Sequence, residues 1–349
     1  MIQKIQIATR NRYRISDSSS FAETRIPIAI SILLIVFMIL PGCSRTESSA
    51  LTQVILQTDW FPQPEHGGFY QALANGYYEE EGLEVKILPG GPNAMSTQKV
   101  LKGSAYFAMN RADTIYSLVN RDVPVTMVMA TLQHDPQAIL LHASNPINSF
   151  KDLDGQRVMA IPGLNWIKWI EAKYDIELEI IPHDFGIERF LNDSNFIQQC
   201  LLTNEPFYVV QAGASPKVLP LRESGFDPYH GIYCLESYAD ENPETVQRFL
   251  RASVKGWRDF ILNDPTPALE LIKLRNPKMS EEFMDFCYST MKQQHLVTGI
   301  GSVGGEKVGS LDPVRMEALV REMEALGLVE DTGIDMKTWY TTRFLNQPH

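Results

Sequence analysis

Short apolar runs of strand length alternate with amphipathic stretches of helix length from residue 51 onward, and no other feature restricts the fold as strongly. Residues 54–59 (VILQTD) and 83–88 (LEVKIL) are strand-like, and apolar side chains recur at helical spacing between them. Strands that alternate with helices are typical of α/β folds, in which helices cover a sheet. The sequence therefore predicts an α/β fold.

The order of the segments predicts two lobes. A second series of strands and helices occupies residues 135–225, and after it the pattern changes to long amphipathic helices. We expect a discontinuous first lobe, residues 51–134 and 226–349, with a second lobe, residues 135–225, inserted into it. Small ligands commonly bind in clefts between domains, at the carboxyl ends of strands, so such a cleft is the expected site.

Residues 1–42 differ from the remaining chain in charge and hydropathy. They carry more basic than acidic residues, although the whole chain has 31 basic and 42 acidic residues and a net charge of −11. As a helix, the apolar run at residues 28–40 would be about 20 Å long, which is shorter than the ~30 Å hydrocarbon core of a bilayer. These features predict an export signal over residues 1–42.

The end of this signal, Leu40-Pro41-Gly42-Cys43, is similar to the end of a bacterial lipoprotein signal. The resemblance implies cleavage before Cys43 and lipidation of its thiol, with the small polar residues 43–50 as the lipidated end and a flexible tether. An uncleaved helix with an incidental cysteine is the alternative. A body anchored in this way would work in the periplasm or at the cell surface, held to the membrane by its lipid.

The sequence lacks the usual metal, nucleotide and hydrolase motifs. Cys200, Cys234 and Cys287 do not have the spacing of zinc ligands, so buried free thiols are expected, with one disulfide as the alternative. Residues 299–304 (GIGSVG) match the letters of a dinucleotide-binding motif, but no strand precedes them, so a loop is expected. An acidic body is repelled by phosphate backbones. We therefore expect no metal, no cofactor and no nucleic-acid partner.

Two stretches are candidate ligand contacts. In residues 59–70 (DWFPQPEHGGFY), Trp60 and Tyr70 offer stacking faces and Asp59 can accept from a ring amine. A proline-rich turn with a buried tryptophan is the alternative. In residues 203–208 (TNEPFY), Glu205 opens a helix, either as a ligand contact or as a helix start stabilised by the macrodipole. The dispersed histidines are expected to be ordinary surface or core residues: His142, His183, His230, His295 and His349.

A longer stretch, residues 59–92 (DWFPQPEHGGFYQALANGYYEEEGLEVKILPGGP), resembles the N-terminal signature of ABC-transporter solute-binding proteins of the SsuA/THI5-like (NMT1/THI5-like) superfamily. Residues 103–161 continue the order of that family, and NEPF around Glu205 matches a further element. The D-W-x-P-x-x-x-H-x-G start is closer to the thiamine-pyrimidine and riboflavin branch than to the sulfonate branch. The resemblance implies a type II periplasmic-binding-protein fold, whose two lobes, each a mixed sheet flanked by helices, close on a solute.

By position, the resemblance implies ligand contacts from both lobes: Asp59, Trp60, His66, Asn93, Asn110, Arg111 and Glu205. Residues 163–174 (GLNWIKWIEAKY) replace a glycine-rich turn that many members have, and Trp166 there either stacks on a ligand or packs the helix with Trp169.

The resemblance implies a lipid-anchored, non-enzymatic protein that binds a thiamine-pyrimidine precursor or a related flat N-heterocycle. We expect it to be a monomer that uses no cofactor and serves an ABC permease in the inner membrane. The alternatives are a pyrimidine-precursor synthase-like enzyme using pyridoxal phosphate, a binder of sulfonate or nitrate, and a sensor or orphan lipoprotein without a permease.

Overall fold

The computed structural model describes residues 50–345 of the chain. The predicted export signal at residues 1–42, the predicted lipidation site Cys43 with most of its tether, and His349 lie outside these residues. Among the described residues, no helix has the length and apolar character needed to cross a membrane. The same part of the chain has no group of three or more His, Cys, Asp or Glu side chains that could hold a metal ion.

The described residues form two five-stranded sheets. The strands are β1 (Thr52–Gln57), β2 (Leu83–Leu88), β3 (Phe107–Arg111), β4 (Val125–Leu132), β5 (Gln137–His142), β6 (Arg157–Ala160), β7 (Glu179–Pro182), β8 (Ile197–Leu201), β9 (Pro216–Pro220) and β10 (His230–Leu235). The first sheet has the order β2-β1-β3-β10-β4, with β10 antiparallel to both neighbours. The second has the order β7-β6-β8-β5-β9, with β5 antiparallel to both neighbours. The remaining pairs are parallel, so both sheets are mixed.

Helices connect the strands and make up most of the chain after β10. They are α1 (Gly67–Ala74), α2 (Tyr77–Glu80), α3 (Ser96–Leu101), α4 (Ala112–Val119), α5 (Asn165–Tyr174), α6 (Glu188–Asn192), α7 (Glu205–Gln211), α8 (Glu236–Glu241), α9 (Pro243–Leu262), α10 (Thr266–Arg275), α11 (Glu281–Gln293), α12 (Pro313–Ala325) and α13 (Met336–Trp339). Short 3-10 helices occur at Pro64–His66, Phe150–Leu153 and Leu221–Ser224. The predicted α/β fold with mixed sheets flanked by helices is confirmed.

The chain passes from the first sheet to the second after β4 and returns before β10, and Asp227 joins these two crossings. Its carboxylate accepts the backbone N–H of Asp135 at 2.8 Å and lies 2.7 Å from His134 Nδ1. Arg315 adds an ion pair at 3.0 Å. The two crossings are therefore held side by side. The lobe boundaries at residues 135 and 225 stay a prediction.

Two glycines allow α1 to lie directly against α9. A Cβ added to Gly256 would come within 2.3 Å of the carbonyl oxygen of Gly68, and a Cβ on Gly68 would come within 2.1 Å of the Trp257 ring. Only a residue without a side chain fits so close an approach. Because α1 begins immediately after Pro64–His66, this packing fixes the position of the 3-10 helix that enters the cleft.

Several local expectations can be compared with the structure. Strand β2 has the predicted limits, whereas β1 begins earlier than predicted, at Thr52. Residues 299–304 form turns, with Gly299 and Gly301 at positive φ, so the expected loop is confirmed. The expected buried free thiols are also confirmed, and they are Cys200, Cys234 and Cys287.

Candidate ligand-binding cleft

A cleft of about 1080 Å³ is lined by residues from both sheets. Much of its wall consists of loops that follow the carboxyl ends of β1, β6, β7 and β8. Ligands of α/β proteins usually bind at this end of the strands. The volume is slightly above the range of about 300–1,000 Å³ that is typical of small-molecule sites.

Asp59 and His66 form a hydrogen-bonded pair on the wall that follows β1. Asp59 Oδ1 lies 2.8 Å from His66 Nε2. The histidine is buried, whereas the Asp59 side chain is 38% exposed and borders the cleft. Burial works to raise the pKa of Asp59, but the hydrogen bond and charge of His66 and the charge of His230 outweigh it and lower the pKa to about 2. Asp59 therefore presents a permanent carboxylate at neutral pH.

Three aromatic side chains line the cleft next to this pair. The ring of Trp60 lies 5.6 Å from Phe61 in an edge-on arrangement and 5.6 Å from Phe185 at an interplanar angle of 37°. Trp60 follows β1 of the first sheet and Phe185 follows β7 of the second. The two sheets therefore meet here through an aromatic contact, and Phe61 and Phe185 remain about half exposed.

Glu65 and Glu205 bring two further carboxyl groups to the cleft from the two sides. Glu65 Oε1 accepts from Thr203 Oγ1 at 2.5 Å, and its Oε2 accepts from Cys287 Sγ at 3.1 Å. Glu205 accepts the Leu201 N–H at 2.8 Å. Burial and the charge of Glu65 raise the pKa of Glu205 to about 7, against backbone hydrogen bonds that lower it. Near neutral pH Glu205 can therefore act as a hydrogen-bond donor or as an acceptor.

Arg111 is a cation of the cleft wall, and its charge is already compensated. Its Nε donates to Asp113 Oδ1 at 3.1 Å, with the guanidinium side chain 13% exposed and Asp113 fully buried. Burial works to lower the pKa of Arg111, but the charges of Asp113, Asp135 and Asp59 raise it above its ordinary value. Arg111 is thus committed to carboxylates of the protein.

A chain of hydrogen bonds continues along the second sheet to the aromatic contact. Gln199 Nε2 donates to Gln137 Oε1 at 2.9 Å. The backbone carbonyl of Gln199 lies 3.2 Å from His183 Nε2, and His183 Nδ1 accepts the backbone N–H of Phe185 at 2.8 Å. The loop after β7 is therefore tied to β8 and through it to β5.

The structure brings most of the predicted site residues together on the cleft wall: Asp59, Trp60, His66, Arg111 and Glu205. Tyr70 and Trp166 do not join them, because both rings are fully buried in the core. The Arg275 guanidinium lies 5.3 Å from the centre of the Tyr70 ring. Neither ring can stack on a ligand in the cleft, which corrects the expectation for both residues. For Trp166 the helix-packing alternative describes the structure.

Asn93 and Asn110 also lie outside the lining of the cleft. Asn93 is exposed in the turn that follows β2. The side-chain oxygen of Asn110 accepts the backbone N–H of Arg111 at 2.9 Å, so it caps the end of β3. The structure therefore does not bring these two asparagines to the cleft wall.

The cleft also contains residues that the sequence did not identify as contacts: Glu65, Gln137, His183, Phe185, Gln199 and His230. His183 and His230 were expected to be ordinary histidines. His183 follows the carboxyl end of β7, and that position was the signal that could have identified it. His230 begins β10, whose antiparallel direction brings its amino end to the cleft. His230 Nε2 lies 3.4 Å from the buried Asp135, which connects the cleft to the crossing between the sheets.

The chain is similar to several known proteins. A riboflavin-binding protein, RibY of Chloroflexus aurantiacus, is 27% identical over 232 residues, which cover 63% of this chain and 66% of that protein, just under two thirds of its length. The formylaminopyrimidine-binding protein of Halalkalibacterium halodurans is 23% identical over 255 residues, which cover 69% of this chain and 76% of that protein. The 4-amino-5-hydroxymethyl-2-methylpyrimidine phosphate synthase of Aspergillus parasiticus is 26% identical over 242 residues, covering 62% and 69%.

A solved structure and a family model complete the comparison. The periplasmic sulfonate-binding protein SsuA from Methylobacillus flagellatus superposes with a TM-score of 0.62 at 14% identity, over 85% of this chain and 93% of that one. This likeness confirms the periplasmic-binding-protein fold. The family model described as NMT1/THI5 like matches residues 63–268, which are more than half of the chain. The chain therefore belongs to the NMT1/THI5-like family.

Proposed function

We propose that the protein is the solute-binding component of an ABC importer and binds a flat, nitrogen-containing ring, such as a thiamine-pyrimidine precursor, in the cleft. The observation that carries this proposal is the meeting of Asp59, Trp60 and Glu205 in one cleft, with two of them from the first sheet and one from the second. The lobes, residues 51–134 with 226–349 and residues 135–225, would close on the ring by a hinge motion at the two crossings. Only contacts to both lobes favour the closed form.

The chemistry of the wall suits a ring that carries amino groups. Trp60 supplies an aromatic face, and stacking on such a face is favourable for planar π-systems. Asp59, with its pKa lowered to about 2, accepts hydrogen bonds from ring amines. Glu205, with its pKa near 7, can pair with either a donor or an acceptor of the ring. Two of the similar proteins are named as binders of riboflavin and of formylaminopyrimidine, which are ring compounds of this kind.

The charge of the wall argues against a sulfonate or nitrate solute. Asp59, Glu65, Glu188 and Glu205 line the cleft. Arg111 is paired with Asp113, and the lysine of the lining, Lys278, lies exposed at the rim. A desolvated anion needs an uncompensated cation or several free donors, and a fixed carboxylate beside it raises the cost of binding.

The synthase-like enzyme remains an alternative because one of the similar proteins is named as a pyrimidine phosphate synthase. An enzyme of that type would need a lysine for pyridoxal phosphate, and the cleft lining includes Lys278, which is exposed at its rim. We favour a binding protein without enzymatic activity, since Lys278 is not enclosed beside the Asp59–Glu205 wall. Absorbance of a lysine-bound pyridoxal in the purified protein, abolished by Lys278→Met, would overturn this preference.

Thermal shift and calorimetry with hydroxymethylpyrimidine, formylaminopyrimidine, riboflavin and taurine test the ligand class. A ligand at 100 times its Kd stabilises the folded state by about 2.7 kcal/mol, so a clear rise in Tm is expected with at least one ring compound. Asp59→Asn and Trp60→Ala should each weaken that binding, whereas Asn93→Ala, outside the cleft lining, should not. A shift with taurine and none with any ring compound would refute the proposal.

We also propose that the protein is a monomer anchored outside the cytoplasm through lipid on Cys43. The support is the similarity of Leu40-Pro41-Gly42-Cys43 to a lipoprotein signal. Labelling of cells with palmitate should mark the wild-type protein and leave Cys43→Ser unlabelled. Recovery of both proteins in the membrane fraction without label would contradict the anchor.

A further inference from the structure

We propose that Phe185 is a specificity-determining residue that forms the second aromatic wall of the ring site opposite Trp60, and that His183 is the positioning residue that holds it there. The proposal rests on the proposed function for the ligand that enters the cleft. It adds two residues that neither the sequence motifs nor the matched family element single out.

The position of Phe185 supports a ligand contact. Its side chain is 55% exposed although it touches Trp60, with the ring centres 5.6 Å apart. The planes are inclined by 37°, so neither ring covers the other fully. A flat ligand of about 3.5 Å thickness placed between the rings would need centres about 7 Å apart. A small movement of the lobes would therefore turn the present contact into a slot with one wall from each sheet.

The backbone of Phe185 is held in an unusual conformation. Its φ is +63°, a left-handed value that is rare for a bulky residue without a special constraint. Residues of this kind persist only where the surrounding structure holds them, and they occur preferentially at ligand sites. The constraint here is a hydrogen bond from the Phe185 N–H to His183 Nδ1 at 2.8 Å.

The contact of the second ring nitrogen, Nε2, defines which tautomer of His183 can accept the Phe185 N–H. Nε2 lies 3.2 Å from the backbone carbonyl oxygen of Gln199, which can only accept. Nδ1 must accept from Phe185, so the neutral ring with its proton on Nε2 satisfies both contacts. Protonation would turn Nδ1 into a donor that faces another donor, and the loop would lose its constraint.

The charged side chains near His183 belong to its own loop and to α6. Asp184 follows it directly, and Arg189 on α6 lies 4.0 Å from the Asp184 carboxylate. Glu188 on α6 lines the cleft, and strand β8 presents the uncharged Gln199. Burial lowers the pKa of His183, against the carbonyl of Gln199 and the charge of Asp184, which raise it. The ring is therefore neutral at pH 7, and it becomes charged only at a pH below the ordinary range of a histidine.

The first test measures ring binding by the full-length protein, with formylaminopyrimidine and riboflavin as probes. Phe185→Ala should raise the Kd of the bound probe roughly tenfold, as expected for the loss of an aromatic stacking partner. Phe185→Tyr should keep the wild-type Kd. His183→Ala should act like Phe185→Ala. In His183→Asn the side-chain oxygen can accept the N–H two residues on, as asparagine does in turns, so affinity should be retained.

The pH profile separates positioning from a general structural role. As the pH falls through the titration of His183, wild-type affinity should fall relative to that of His183→Asn, whose acceptor does not titrate. Glu205 is common to both proteins and cancels in the comparison. Unchanged or tighter binding by Phe185→Ala would overturn the proposal. Tighter binding would show that Phe185 blocks access of the ligand to the Trp60 ring.

A second measurement does not depend on any ligand. In protein labelled with ¹⁵N at histidine and phenylalanine, NMR should find His183 protonated on Nε2 alone at pH 7.5. The Phe185 amide signal should shift as the ring titrates, and it should be insensitive to pH in His183→Asn. A proton on Nδ1, or a Phe185 amide that ignores the titration, would refute the positioning role. Failure of every ring compound to bind wild type, with this NMR result intact, would instead refute the proposed function.

Discussion

Replacing Glu205 by glutamine should remove a dependence of stability on pH that the cleft builds into the protein. The carboxyl group opens α7 and accepts two hydrogen bonds, from the Leu201 N–H at 2.8 Å and from Asn204 Nδ2 at 3.1 Å. Burial and the nearby charge of Glu65 nevertheless raise its pKa from 4.5 to about 7. The native state therefore favours the protonated form of Glu205 more strongly than the unfolded chain does.

The sign and size of the effect follow from this difference. Between pH 4.5 and pH 7 the native state binds more protons at Glu205 than the unfolded state, so the free energy of unfolding falls as the pH rises. One pKa unit corresponds to about 1.4 kcal/mol, which sets an upper limit of about 3 kcal/mol for the loss between pH 4.5 and pH 8. The partial exposure of the side chain reduces the value through screening by water.

Urea unfolding of wild type and Glu205→Gln from pH 4.5 to pH 8.5 measures this directly. The amide cannot accept from both donors, so the variant should be less stable by about 1–3 kcal/mol at low pH. Its stability relative to wild type should then rise with pH, by up to about 3 kcal/mol, and level off above pH 7. The readout is the change of the free energy of unfolding with pH, because the glutamine side chain does not titrate.

Asp152→Asn provides the matched control. Backbone and side-chain hydrogen bonds of Asn148 and Ser149 lower the pKa of the exposed Asp152, so its titration lies below 3.8. The variant loses part of a capping box. Above pH 5, its free energy of unfolding should differ from that of wild type by a constant amount. A constant difference for Glu205→Gln over the same range would refute the reasoning about the buried carboxyl group.

Three further outcomes follow from the packing and the charges. Thr203→Val should lower the free energy of unfolding by about 1.5–3 kcal/mol, because it removes a donor to the buried carboxylate of Glu65. Thr203→Ser, which keeps the hydroxyl, should lose much less. Equal losses for both variants in urea unfolding would show that the hydroxyl does not contribute to stability. Gly256→Ala should lower Tm strongly, since its Cβ would lie 2.3 Å from the Gly68 carbonyl oxygen, and a wild-type Tm would disprove the close contact. The pKa of Asp59, lowered to about 2, contributes stability that is present above pH 3.8 and is lost as the pH falls through 2. In acid unfolding, Asp59→Asn should lose less stability than wild type over this range. An unchanged unfolding curve would exclude the pairing with His66 as the cause of the acid sensitivity.

Local patterns were sufficient for the fold class. The period-two alternation of LEVKIL became β2 without a change of limits, because every second side chain is buried in the sheet. Asp59 and Trp60, which the motif of residues 59–70 singled out, line the cleft, since a strand end and the following turn are formed by neighbours in the chain. His66, which only the family resemblance indicated, lines it too. Glu205 was found in the same way, at the start of a helix.

Tyr70 shows where such reasoning stops. Its aromatic ring suggested a second stacking face beside Trp60, but α1 buries that ring in the core, where the guanidinium of Arg275 on α10 lies over it. Trp166 is buried for a similar reason, since α5 packs in the core cluster that joins the two sheets. The facing direction of a helical side chain depends on which helix lies opposite, and one sequence does not contain that information.

By itself, the sequence determined an α/β chain with ligand-like residues at strand ends, because periodicity and turn chemistry act between near neighbours. Tertiary structure decided which strand ends meet. Phe185 reaches Trp60, and Thr203 reaches Glu65, across more than a hundred residues of chain. Contacts over such distances depend on the relative placement of the two sheets, and that placement rests on the crossings at Asp227 and on the core cluster that residues of both sheets share.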